Sequence, residues 1–374
     1  MAEKSVVVIA ECDSYEEEKV NGAVRAAVDA LGGIGAFVRR DERILVKPNF
    51  LYPSESGKHI TTHPSVIRAM LRILKENGYE NVFAGDSPAT GSSEAAWKKL
   101  GLDPARGFGF RIAPMNREVR SGRFPFTQDV IEADAIIGVC KMKTHMLERI
   151  TGAVKNMYGL ICGKQKAAGH VSYPTAARFA QYVCGIHKAT PQRLHIMDGI
   201  TAMEGNGPAS GTPVSMNVIL VSSDPVAVDT VFCRLVNLNP VLVPTNTAGF
   251  YAGIGTYKEK DIELKLVTAD ECRTIGMDEA VKRFGKPDFD VAREKEKGNL
   301  LSFWSRLTGS FGRRPVIDPD KCIRCGMCVE HCPVEGFGVS FANGRQNPPV
   351  YDYAKCIRCY CCQEICPQHA IASK

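Results

Sequence analysis

The chain has 374 residues, 44% of them hydrophobic, which allows more than one domain and a sizeable core. Its 47 Lys and Arg against 41 Asp and Glu leave a net charge of +6 with no basic tract interleaved with aromatics, which argues against nucleic-acid binding. No apolar run approaches the roughly 20 residues of a membrane-crossing helix, and Met1-Ala-Glu-Lys leads straight into a strand-like run, so no signal peptide is expected.

The first 290 residues alternate short β-branched runs with longer amphipathic ones. Ser5 to Ile9 reads as a strand and Glu16 to Leu31 as a helix ended by Gly32-Gly33. Ile44 to Val46 is a strand running into Lys47-Pro48-Asn49. Residues 64–77 form a helix with Pro64 at its start and Gly78 as its stop. A strand over Asn81 to Ala84 ends in Gly85-Asp86-Ser87-Pro88, and a helix follows around 93–100. Ala135 to Val139 is a strand delivering Lys141, Lys143 and His145 into a turn. Helical segments are expected near 148–160 and 174–188, with a flexible Gly/Lys segment between them in which Lys164 and Lys166 are solvated charges. Strands over Arg193 to Met197 and Met216 to Val221 end in Asp198-Gly199 and Ser222-Ser-Asp-Pro225, the second followed by a helix to about Val236.

That alternation predicts an α/β body with a mostly parallel sheet. In such sheets ligands bind beyond the carboxyl ends of the strands. Turns use Gly, Pro, Asp and Asn for their own reasons, but they do not require cations. Lys47, Asn49, Lys141, Lys143, Asp198 and Glu204 are therefore candidate residues for binding an anionic small molecule. Gly205-x-Gly207-Pro208 is not a dinucleotide fingerprint, because Pro interrupts it, and no phosphate-binding P-loop sequence is present.

The composition changes sharply near the carboxyl end, where nine of the 15 Cys lie beyond residue 320. Eight form two matched runs, Cys322-x-x-Cys325-x-x-Cys328-x-x-x-Cys332-Pro333 and Cys356-x-x-Cys359-x-x-Cys362-x-x-x-Cys366-Pro367. Each resembles the run of bacterial ferredoxins, in which three close thiolates hold one [4Fe-4S] cluster and the fourth Cys completes the other. Cys322, Cys325, Cys328 and Cys366 are accordingly expected on one cluster, and Cys356, Cys359, Cys362 and Cys332 on the second. Zinc sites also use paired CxxC elements, but the two matched runs, each closed by Pro, favour cubanes. Cys361 is a ninth thiol without a ligand slot, read as packing or a replacement ligand.

The expected organisation is a body over 1–290, a linker with one short helix over 291–315, and an α+β ferredoxin-like two-cluster module over 316–374. A module this short cannot hold a core unaided, so its clusters must supply folding energy. Exposed cubanes and six scattered single Cys point to a reducing cytoplasm in an anaerobe.

Several body motifs carry a family likeness. Lys47-Pro-Asn49, Lys155-Asn-Met-Tyr-Gly159, Asp198-Gly-Ile with Glu204-Gly-Asn-Gly-Pro208, and Asp224-Pro-Val-Ala-Val-Asp229 resemble the domain-of-unknown-function 362 family over about residues 5–290. That family occurs with C-terminal ferredoxin modules in anaerobes. A second resemblance is to the nickel-pincer lactate racemases: His145 precedes Lys155 by ten residues and His170 follows it by fifteen. It implies a cofactor attached to Lys155, nickel on His170 and acid/base work at His145. The flanking turns differ, being Thr151-Gly-Ala-Val154 before Lys155 and Asn156-Met-Tyr-Gly159 after it.

The expected function is that of an iron–sulfur oxidoreductase. Two [4Fe-4S] clusters would take electrons from a ferredoxin, flavodoxin or reductase and pass them to an anionic substrate or further small-molecule cofactor in the body. His145, Lys155 and His170 are the candidate catalytic groups. Arg313, Arg314, Lys321, Arg324, Lys355 and Arg358 suit an acidic redox partner, and a homo-oligomer is compatible with the sequence. The alternatives are a non-catalytic electron-transfer adaptor and a racemase- or epimerase-like enzyme.

Overall fold

A computed structural model describes residues 4–102, 109–163, 165–294, 313–334 and 338–373. The linker helix expected around Leu300 to Leu307, and Lys164, lie outside the described residues. The body is an α/β structure on one ten-stranded sheet. In chain order come β1 (Ser5–Glu11), α1 (Glu17–Asp29), β2 (Ile44–Pro48), α2 (Pro64–Glu76), β3 (Val82–Ala84), α3 (Ser93–Lys99) and β4 (Arg111–Ile112). A hairpin follows, β5 (Glu118–Ser121) with β6 (Phe124–Thr127), then the short helix α4 (Gln128–Ile131) and the long strand β7 (Ala135–His145). After it lie β8 (Arg149–Thr151), α5 (Ala153–Asn156), α6 (Gln165–Ser172), α7 (Ala176–Ala189), β9 (Gln192–Glu204) and β10 (Thr212–Ser222). The body closes with α8 (Pro225–Leu235), α9 (Pro244–Ala252), β11 (Ile262–Val267), β12 (Cys272–Ile275) and α10 (Met277–Phe284).

The strand order β12-β11-β1-β10-β9-β7-β2-β3-β4 is mixed but mostly parallel. The run β9-β7-β2-β3-β4 is parallel throughout, as is β1 with β11, while β10 runs against both β1 and β9. Apolar helices cover both faces. Val66, Met70 and Leu74 of α2 pack with Val20 and Val24 of α1 on one side, and Val228, Val231 and Phe232 of α8 lie on the other. Helix starts follow the sequence signals: His63 and Asp224 accept from backbone N–H groups at N2 and N3, and each is followed by Pro at N1.

Three expectations change. Lys141, Lys143 and His145 are not in a turn but in the second half of β7, and Asp198-Gly199 lies inside β9. Both strands run on because they keep pairing past the end of β2, with Lys141 opposite Asp198 and Lys143 opposite Met203, while β8 flanks β7 on the other side. The expected helix over 148–160 is instead β8, a single turn of α5 and a 3-10 turn over Met157–Leu160. The Gly/Lys segment is the helix α6, where Gln165-Lys-Ala-Ala are strong helix formers.

The tail is a small α+β module. Strand Pro315–Ile317 pairs with Ile371–Ser373, Val339–Ser340 pairs with Val350–Tyr351, and helical turns at Met327–Glu330 and Cys361–Glu364 each lie within a Cys run.

Candidate functional site

The carboxyl edge of the parallel strands gathers an unusual set of buried charges. Lys141, Lys143 and His145 alternate along β7 and so share one face of it; Lys47 lies at the end of neighbouring β2, and all four are fully or almost fully buried. Such burial is tolerated only with close partners. Lys141 Nζ lies 2.8 Å from Asp198 Oδ2 and 2.8 Å from Tyr15 Oη, which itself donates to Asp198 Oδ1 at 2.9 Å. His63 N donates to the same carboxylate at 2.9 Å, and its ring stacks on Tyr15 with centroids 3.7 Å apart. Lys47 Nζ lies 2.9 Å from Asp86 Oδ1 and donates to Asn156 Oδ1 at 2.9 Å. Asn49 Nδ2 donates to the same Asn156 oxygen at 3.3 Å, and its own buried Oδ1 has no hydrogen-bond partner among the described residues. A Cβ at Gly159 would collide with Asp86 and Lys47, which accounts for the glycine that closes Lys155-Asn-Met-Tyr-Gly159.

Lys143 and Lys155 differ from these paired cations. Lys143 Nζ donates to Ile60 O at 2.7 Å and, among the described residues, is in no ion pair with a carboxylate; burial, and then the positive charge of Lys155, lower its pKa to about 7. Lys155 is half-buried, and among the described residues no hydrogen bond or ion pair holds its ammonium. Its backbone is fixed from below: buried Asp229 accepts from Ala153 N at 2.6 Å and Val154 N at 3.2 Å, capping the turn that presents Lys155. His170 is buried against Phe179, ring centroids 4.3 Å apart, and among the described residues its Nδ1 has no hydrogen-bond partner. Burial drives its pKa down to about 3, so it is a neutral ring beside Lys155 and Glu364. Lys166, expected to be solvated, instead reaches the carbonyls of Ser87 and Pro88, and burial lowers its pKa to about 8.

His145 has both ring nitrogens occupied. Nδ1 accepts from Leu147 N and Glu148 N, each at 3.1 Å, so the proton sits on Nε2 and is donated to Glu364 Oε1 at 2.9 Å. Burial and the charge of Lys155 lower its pKa to about 4, leaving it neutral at pH 7. Burial raises the pKa of Glu364, but the bond from His145 and the surrounding positive charge outweigh it and hold this group below the usual carboxylate range. Glu204 stands apart from the cations, accepting from Asp290 N at 2.8 Å.

Glu364 belongs to the tail, so this cluster is also where tail meets body. Gln363 Nε2 donates to Asn206 O at 2.8 Å and Gly207 O at 3.2 Å, and Asn206 Nδ2 returns a bond to Ile371 O at 3.1 Å. Ser210 Oγ and His369 Nδ1 are 2.8 Å apart. The Glu204-Gly-Asn-Gly-Pro208 motif is thus a docking platform, held to β7 by Thr144 Oγ1 donating to Gly205 O at 3.0 Å. Tyr15, Gln363 and Glu364 were not singled out from sequence, and Asp86 and Asn156 entered only as parts of a strand-end turn and a family motif; Gln363 and Glu364 stand between cysteines of one run, where position alone signals nothing.

The tail holds two cavities. One is lined by Cys322, Cys325, Cys328 and Cys366, the other by Cys332, Cys356, Cys359 and Cys362. Each is walled by three thiols of one run and the fourth of the other, a donor set suited to a four-iron cubane. Cys361 lines neither cavity and lies against Cys359.

Four-thiol cavities docked on a cation-bearing sheet edge define a two-part protein whose tail is of the iron–sulfur kind, and residues 314–367 match the model of the 4Fe-4S dicluster domain. Residues 44–234 match the Domain of unknown function (DUF362), more than half of the chain, and the chain belongs to that family. A thylakoid-associated protein of Synechocystis is 33% identical over 247 residues, covering 63% of this chain and 75% of that protein. Two solved structures are similar in part. A Thermotoga maritima protein has 14% identity and a TM-score of 0.36, covering 66% of this chain and 60% of its own. The lactate racemase apoprotein of Thermoanaerobacterium thermosaccharolyticum has 12% identity and a TM-score of 0.38, covering 63% and 57%. This chain therefore spans less than two thirds of either solved protein. Among the described residues no helix is long and apolar enough to cross a membrane.

Proposed function

We propose that the chain is an iron–sulfur oxidoreductase that passes single electrons from the tail to an anionic ligand at the sheet edge of the body. The domain division behind this reading is a body over 1–290, a linker over 291–315 and a cluster module over 316–374. Cys322, Cys325, Cys328 and Cys366 hold one [4Fe-4S] cluster, and Cys332, Cys356, Cys359 and Cys362 the other. Bound there, the clusters supply one-electron transfer at low potential. The chain's own residues do the rest. His145, Gln363 and Asn206 seat the module on the body, while Lys143 and Lys155 attract the anion, with Lys47 and Asn49 beside them. His170 offers an unpartnered Nδ1 to the same space.

The observation that carries the reading is the 2.9 Å bond from His145 to Glu364. It ties the helical turn that bears Cys362 to the strand that bears Lys143, so electrons and anion converge on one place. An acidic ferredoxin, flavodoxin or reductase is the electron donor that the exposed basic residues of the module suit, in a reducing cytoplasm.

The test is single-turnover oxidation. Protein purified anaerobically and reduced with dithionite is mixed with a panel of small carboxylate and phosphate-bearing acceptors, and cluster reoxidation is followed optically. One class of anion is expected to reoxidise the wild type and to fail with Lys155→Ala at unchanged iron and sulfide content. Equal rates in both proteins remove Lys155 from the site, and no reoxidation by any anion favours the adaptor reading.

A further inference from the structure

The two Cys runs are near-copies offset by a fixed spacing, so each residue around one cavity has a counterpart around the other. Five residues before the first Cys of each run stand Ile317 and Tyr351. Each lines its own cavity. They differ in one respect that matters for charge. Tyr351 Oη donates to Cys362 Sγ at 3.1 Å, whereas the matched position is Ile317, whose side chain carries no donor for the first cavity. Backbone N–H donors do not distinguish the runs in this way: they reach thiols of both, Cys328 and Cys366 of the first cavity and Cys356 and Cys359 of the second. The phenol is also well placed to act on one cluster alone. It is largely buried, and its ring is fixed on Tyr353 with centroids 5.7 Å apart, which in turn lies under the Arg314 guanidinium.

We infer that Tyr351 sets the potential of the cluster held by Cys332, Cys356, Cys359 and Cys362, making it the more oxidising of the two and the resting place of the electron. The inference rests on the two-cluster reading above. A hydrogen bond to a thiolate sulfur stabilises the reduced cluster, which carries one more negative charge, more than the oxidised one. This cluster is the one whose run contains Glu364, bonded to His145 of the body. Tyr351 thus breaks the near-symmetry of the module in the direction that draws electrons toward the cations of β7, and the Cys361 thiol, where the other run has Met327, adds a donor to Cys359 on the same cluster.

The experiment compares the intact wild-type chain with Tyr351→Phe, both prepared anaerobically, by potentiometric titration followed by electron paramagnetic resonance. Iron and sulfide content, measured first, reports separately on whether two clusters are bound. The wild type is expected to titrate in two steps. In Tyr351→Phe the higher step should fall by about tenfold in its reduction equilibrium constant, about 59 mV for one electron, while the lower step stays in place. Two steps that shift equally, or not at all, overturn the inference. A second measurement needs no variant: after exchange into D2O, the reduced wild type should show a strongly coupled deuteron assigned to the higher-potential cluster. Its persistence in Tyr351→Phe assigns that deuteron to a backbone N–H or to the Cys361 thiol and also overturns the inference.

Discussion

In the body, three clusters of buried aliphatic and aromatic side chains fill the space between the sheet and its helices. Of apolar side chains the described tail buries only Pro315, Val339, Pro349, Tyr360, Ile365, Ala370 and Ile371, with the Cys362 thiol, and none of these joins a body cluster. The body thus has apolar area to spare and uses it to hold charges out of water at its carboxyl edge. The tail has almost none, and its shape depends on what fills its cavities. One part can carry the cost of a polar site, and the other is built around its cofactor.

The sharpest way to break this contrast is to remove the iron. Chelation under reducing conditions should unfold the tail and leave the body, because metal-ligand bonds replace the missing core in so small a module. Limited proteolysis should then cut after about residue 313 while a body fragment survives, with most helical circular dichroism retained. A tail that stays protease-resistant without iron would show that it has a core of its own.

The second prediction concerns acid and lies wholly in the body. His187 and His195 face each other in the core, ring centroids 5.8 Å apart, and neither nitrogen of His195 has a hydrogen-bond partner among the described residues. Burial lowers the pKa of His187 from 6.5 to about 4 and that of His195 well below 6.5. The unfolded chain therefore takes up protons below pH 6.5 that the folded chain refuses, and stability falls with pH from about 6.5 down to about 4. At pH 5 the His187 contribution alone is about 2 kcal/mol. Denaturant melts of the body at pH 7 and pH 5 measure it, and His187→Gln should flatten the difference; an unchanged slope would mean that the pair is hydrated or already charged.

The two regions were also unequally legible. The Cys runs were readable because ligand spacing is local: three thiolates on one short loop can be counted along the chain. The alternation of strands and helices was readable for the same reason, and the α/β class and mostly parallel sheet follow from it. The cation cluster was found but misplaced, since Lys141, Lys143 and His145 were assigned to a turn. A strand is expected to stop at its first Lys, because lysines are rarely buried. The partners that permit burial here, Asp198, Tyr15 and Asp86, come from distant segments. The interface was invisible for a related reason: Glu364 and Gln363 look like spacers between cysteines, and nothing near them in sequence announces His145 or Asn206.

A third prediction separates function from structure at Lys143. Its pKa, lowered to about 7, means that burial works against its charged form. If the residue is kept for an anion, Lys143→Met should stabilise the unliganded protein by about 1 to 3 kcal/mol, since replacing a buried charge by an apolar side chain of similar length is often stabilising. Reoxidation by the anion should weaken in the same variant. In the wild type, affinity for the anion should also fall as pH rises above about 7, because binding must then supply a proton to Lys143. A melting temperature that drops in Lys143→Met would make the bond to Ile60 O the reason for the residue.

The smallest effect is expected at the seam between the two regions, and it tests whether they act as one body. Asn206 Nδ2 holds Ile371 O and its Oδ1 accepts from Gln363 Nε2 at 3.2 Å, so Asn206→Ala removes both bonds and loosens the platform whose carbonyl also accepts from Gln363. A buried hydrogen bond contributes about 0.5 to 1.5 kcal/mol net, and an acceptor left without a partner adds to the loss. Neither the sheet nor the cavities depend on Asn206, so global stability and iron content should stay close to wild type. The change should instead appear as faster amide exchange confined to residues 204–210 and 363–371. Electron delivery to the body should slow with it, because the contact between His145 and Glu364 lies in the same seam. If exchange quickens there and delivery does not slow, then the module serves the body from an undocked position and His145 is only its mooring.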